Sequence, residues 1–102
     1  MPRVAVFAKL VAKAGREADL VRALEALFPA ANANPGTHVF AMHQSDEDST
    51  VIWFYELHED LETLEEQDRA AQRILGARLD ALLAEPPEVL VSRPLQAKGL
   101  PD

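Results

Sequence analysis

The chain has 102 residues with 17 acidic and 10 basic side chains, a formal charge of −7, and no cysteine. One hydrophobic core serves a chain of this size, so a single domain is expected. The negative field disfavours a phosphate backbone or an anionic membrane surface as partner. The missing thiols exclude disulfides, thiolate metal sites and cysteine nucleophiles, and they fit a cytoplasmic location.

The apolar runs fall far short of the roughly 20 residues of a membrane span. The opening Met1-Pro2-Arg3-Val4 enters a strand pattern directly, so no signal peptide is expected. Val4 to Ala12 carries apolar residues on both registers and reads as a strand buried on two sides. Ala14-Gly15 ends it. From Arg16 the period becomes helical, with Leu20, Val21, Leu24, Leu27 and Phe28 on one stripe. Pro29 lies near the end of this pattern, and Asn32 to Gly36 is a break.

Thr37 to Gln44 returns to strand character, and Asp46-Glu47-Asp48 is a polar turn. Thr50 to His58, with Val51-Ile52-Trp53-Phe54-Tyr55 in succession, is the strongest strand and completes an antiparallel hairpin. Asp60 reads as a helix N-cap. Helical periodicity then runs from Leu61 to Leu83, with a change of axis expected near Gln67-Asp68, where the apolar stripe lapses. Pro86-Pro87 stops it, and Glu88 to Ser92 forms a last strand. The domain is expected over 1–94, with 95–102 as a tail.

The order β-α-β-β-α-β predicts an α+β, ferredoxin-like fold with a four-stranded antiparallel sheet and helices on one face. Helical material covers just one of two apolar sheet faces. Phe7, Val11 and one register of the third strand are left as an exposed patch, which a second copy packed sheet to sheet would cover.

Taken together, the strand–Gly turn–helix–Pro-Gly break–strand of residues 5–48 and the aromatic strand with Tyr55-Glu56 ahead of a Leu64-containing helix resemble the antibiotic biosynthesis monooxygenase family over roughly residues 3–94. The resemblance implies a dimeric α+β barrel. It also implies cofactor-independent oxygenation of a quinol, phenol or aromatic polyketide, or, in another branch, haem degradation. The chain departs from the family at Gln67 and Gln72, where many members carry histidine. The Asn, Trp and His of the haem-degrading branch fall near Ala8, Gln67 and Ala77, so no axial ligand for haem iron is expected.

Candidate catalytic residues are His43, His58, Tyr55 and Glu56. Candidate substrate-binding residues are Trp53, Phe54, Gln67, Gln72 and Arg73. His38 and His43 stand an odd number apart on one strand and face opposite ways unless a bulge intervenes. His58, at a strand end beside Glu59-Asp60, reads as a proton acceptor at the mouth of a pocket, or as a solvated histidine. Trp53, Phe54 and Tyr55 alternate sides as core residues or as walls for a planar ligand, and Tyr55 could bond a substrate oxygen. Glu56 is an acid–base candidate if buried, or the partner of Arg69 or Arg73.

The acidic run from Glu56 to Asp68 reads as a solvated helix face. No metal site and no cofactor are expected, and the expected partners are a second copy and a small planar aromatic molecule. The alternative function is a non-catalytic small-molecule-binding or stress-related dimer on the same fold.

Overall fold

The computed structural model describes residues 3–100. Its elements are β1 (Val4–Val11), α1 (Glu17–Glu25), α2 (Phe28–Ala33), β2 (Thr37–Gln44), β3 (Val51–His58), α3 (Leu61–Leu75), α4 (Arg78–Leu82) and β4 (Glu88–Ser92). The sheet order is β2-β3-β1-β4, antiparallel throughout. This is the expected α+β, ferredoxin-like arrangement.

The period-2 alternation of the strands determines which residues meet the helices. Val6, Ala8 and Leu10 pair with Glu56, Phe54 and Ile52. These residues share the covered face, where Leu20, Leu24, Leu27 and Leu75 close the core. Phe28, Phe40 and Phe54 form an aromatic cluster there, with ring centroids 4.9 to 6.3 Å apart.

The opposite face carries Phe7 and Trp53, each 44% exposed, and Leu90 at 58%. Phe7 packs on Tyr55 at 5.2 Å, and the Lys9 ammonium lies 5.7 Å from the Trp53 ring. β1 is therefore buried on one side only at Phe7. Near the sheet's end, Leu57 on this same face is fully buried, beside Pro94, Gln96, Ala97 and Leu100 of the chain after β4. Within the expected tail at 95–102, Leu95, Gln96, Ala97 and Leu100 line a shallow groove beside Leu57, although residues 95–99 are exposed; 101–102 lie outside the described residues.

Two helix boundaries differ from expectation. The single helix expected from Arg16 is two, and Pro29 stands in the first turn of α2, where its missing N–H costs nothing. The change of axis expected at Gln67-Asp68 does not occur. α3 runs unbroken to Leu75 and ends at Gly76, whose φ of +53° suits glycine. The apolar stripe lapses at Gln67 because a polar side chain occupies a buried position, 4% exposed.

The N-terminus of α3 is as expected. Asp60 is extended, and its Oδ1 accepts from Thr63 N at 2.9 Å and Thr63 Oγ1 at 2.8 Å. Both bonds hold the Asp60 carboxyl below its ordinary range. The hairpin turn is built similarly. Asp48 Oδ1 accepts from Thr50 N and Oγ1, which lowers its carboxyl.

β2 is interrupted once. Its register with β3 runs Thr37 opposite His58, then Val39 opposite Leu57, leaving His38 as an extra residue. The bulge removes the simple opposite-face relation expected of His38 and His43.

Candidate functional site

The covered face does not close completely. Between α3 and β4 lies a cavity of about 360 Å³. Its floor is Ala8, Leu10, Phe40 and Phe54, its inner wall Leu24, Leu27 and Leu75, and its mouth Asp68, Gln72, Pro87 and Val89. The mouth exists because β4 extends past the helices: Val89 and Val91 are 55% and 58% exposed. Into this apolar space comes one half-buried ionisable side chain from the sheet, Glu56.

Glu56 is held from behind. His58 lies two residues along β3 on the same face, and its Nε2 is 2.8 Å from Glu56 Oε1. The other ring nitrogen, Nδ1, is 3.1 Å from Thr37 Oγ1. His58 is completely buried. It does not stand at the pocket mouth or in solvent as expected, but is buried with Thr37 and Glu56 as its hydrogen-bond partners. Its partner is also not the adjacent Glu59-Asp60 pair but Glu56. The same bond replaces the Arg69 or Arg73 partner expected for Glu56.

Asp68 joins Glu56 at the mouth. Partial desolvation raises its carboxyl above the ordinary value, the Glu56 charge raises it further, and His58 offsets part of this. Asp68 was expected only as part of a solvated acidic face. Its spacing of four from Gln72 on one helix was the available signal.

The remaining candidates separate. Phe54 and Gln72 line the cavity with Glu56. Gln67 is buried but does not line it, and its Nε2 has no hydrogen-bond partner. Arg73 is exposed in the last turn of α3. Trp53, Tyr55 and His43 pair with Lys9, Phe7 and each other's strands on the opposite face, so they are not brought to this cavity. The register of β3 decides this: Phe54, Glu56 and His58 are even-numbered, and Trp53 and Tyr55 are odd. His38, in the bulge, has a buried Nε2 without a partner.

Among the described residues no three His, Cys, Asp or Glu side chains are grouped to hold a metal ion. No helix among them is long and apolar enough to cross a membrane.

The fold recurs in solved structures. A protein of unknown function from Nitrosomonas europaea is 28% identical, with 100% of this chain and 97% of that one covered and a TM-score of 0.84. Rv0793 from Mycobacterium tuberculosis is 22% identical over 93% of this chain and 97% of its own, at 0.84. PA3566 from Pseudomonas aeruginosa is 23% identical over 94% and 97%, at 0.83. No curated protein matches the chain. The family model for antibiotic biosynthesis monooxygenases matches residues 3–86, the span that holds the four helices, the first three strands and Glu56, and the chain belongs to that family.

Proposed function

We propose that the protein is a cofactor-independent monooxygenase that binds a phenol, quinol or aromatic polyketide between α3 and β4, with Glu56 as general base. The observation that carries this reading is a hydrogen-bonded carboxylate, Glu56, entering a largely apolar, ring-sized cavity whose other polar lining, Asp68 and Gln72, is at the mouth. Glu56 takes the substrate proton. As it does so its own charge is lost, so the cavity's net charge stays constant while the substrate becomes an anion. That matters beside Asp68, since a second uncompensated negative charge would be costly in an apolar site.

The electron-rich anion is then the reductant of dioxygen. At a ring CH₂, both hydrogens leave, one oxygen atom becomes the carbonyl oxygen, and the other departs as water. The chain's residues bind the ring through Phe40 and Phe54, remove the proton and exclude solvent. No cofactor is called for in this scheme.

A homodimer belongs to the same reading. Phe7, Trp53 and Leu90 lie on one side of adjacent strands, and a second copy seated sheet to sheet covers all three. A cytoplasmic location is consistent with the lack of cysteine.

One observation favours the alternative of a non-catalytic binding protein: no imidazole lines the cavity, and the family's helix position is the buried, unpartnered Gln67. Oxygen uptake with a panel of quinols and anthrones separates the two. Wild type is expected to consume oxygen, and Glu56→Gln to lose about 10²–10⁴-fold in rate with binding retained. Ligand binding without uptake by wild type selects the binding protein. Uptake unchanged in Glu56→Gln removes Glu56 as the base.

A further inference from the structure

The arrangement behind Glu56 is more specific than burial of a histidine requires. An ionised carboxylate offers only acceptors, so the proton in the 2.8 Å bond to Glu56 Oε1 belongs to His58 Nε2. A neutral ring then has a lone pair at Nδ1. In a fully buried site that lone pair needs a donor, and the Thr37 hydroxyl, 3.1 Å away, is placed to supply one. Thr37 itself is fixed by backbone bonds on both sides of the contact. Its N–H donates to Asn34 O at 3.1 Å, and Glu59 N donates to Gly36 O at 2.7 Å.

We propose that Thr37 and His58 are positioning residues for Glu56: the Thr37 hydroxyl holds the ring with its proton on Nε2, and that proton clamps Oε1 so that Oε2 is the oxygen offered to a ligand. The order hydroxyl–imidazole–carboxylate is that of a serine hydrolase triad read from the other end. There the hydroxyl meets the substrate and the carboxylate orients the ring. Here the carboxylate lines the cavity, while Thr37 and His58 do not. Charged groups beside the pair come from α3, with Asp68 acting on both Glu56 and His58. This inference rests on Glu56 as the base only for its effect on turnover. The tautomer does not depend on that reading.

The test uses the full chain with ¹⁵N-labelled histidine. Wild-type His58 is expected to show protonated Nε2 and a hydrogen-bonded, unprotonated Nδ1. Thr37→Val, which keeps the shape and removes the hydroxyl, is expected to lose that pattern, and Thr37→Ser to restore it. In the oxygen-uptake assay Thr37→Val is expected to lose about 10-fold or more in kcat with KM within about 2-fold, the signature of a displaced reacting group rather than lost binding. A wild-type proton on Nδ1, or an unchanged ¹⁵N pattern in a folded Thr37→Val, overturns the proposal. If Glu56→Gln turns over normally while the Thr37 series behaves as expected, the base assignment fails and the tautomer lock stands.

Discussion

Gly36 precedes Thr37 at the point where β2 meets the first turn of α3, and replacing it by alanine tests how tightly that junction is built. A Cβ there would stand 2.5 Å from Thr63 Oγ1, 2.8 Å from Thr63 Cγ2 and 3.2 Å from Thr63 Cβ. Thr63 is 6% exposed and cannot swing away without breaking its hydroxyl bond to Asp60. Overpacking of this kind costs about 1–3 kcal/mol. For a domain near 100 residues that lowers Tm by about 5–20 °C. Thermal unfolding by circular dichroism measures it.

Thr63→Ala in the same background removes the two closest atoms. The double variant Gly36→Ala/Thr63→Ala should therefore be more stable than the sum of the single losses, by about 1–2 kcal/mol. Additive losses, or a Gly36→Ala Tm within about 1 °C of wild type, would refute the steric account.

Asp68→Asn should raise stability slightly at neutral pH. The folded-state carboxyl lies above its ordinary value of 3.8, so the native state favours the protonated form, and stability falls as pH rises through that window. Because Asp68 is solvent-exposed, the gain in Tm at pH 7 should be small, about 1–2 °C, and should vanish near pH 3, below both values. An equal or lower Tm at pH 7 contradicts this. Light scattering at micromolar concentration should give twice the mass of one chain for wild type and a smaller mass for Trp53→Lys. A wild-type protomer mass would remove the sheet-to-sheet dimer.

Much of this architecture is readable from residue order alone, and the exceptions share a cause. Strand periodicity is enough to set Phe54 on the side opposite Trp53 and Tyr55, because alternation is local. The Asp60 cap was readable because its partner is three residues away. His58 reads as solvated because Glu59 and Asp60 follow it, whereas it is buried against Glu56 and against Thr37, 21 positions earlier. Gln67 hid the continuity of α3, since a buried glutamine looks like a gap in an apolar stripe. Thr37 and the bulge left no periodic signature. A register shift of one residue is set by long-range pairing and has no local composition.

That bulge bears on how the site tolerates length changes. With His38 looped out of the ladder, every bonded pair from Val39 onward and the Thr37–His58 pair already match an uninterrupted strand. Excising His38 therefore keeps the hydroxyl opposite the imidazole, whereas straightening the strand with His38 retained would seat a second imidazole there instead. The extra residue thus works as a spacer, and its loss is an easier path through sequence space than its incorporation into the ladder.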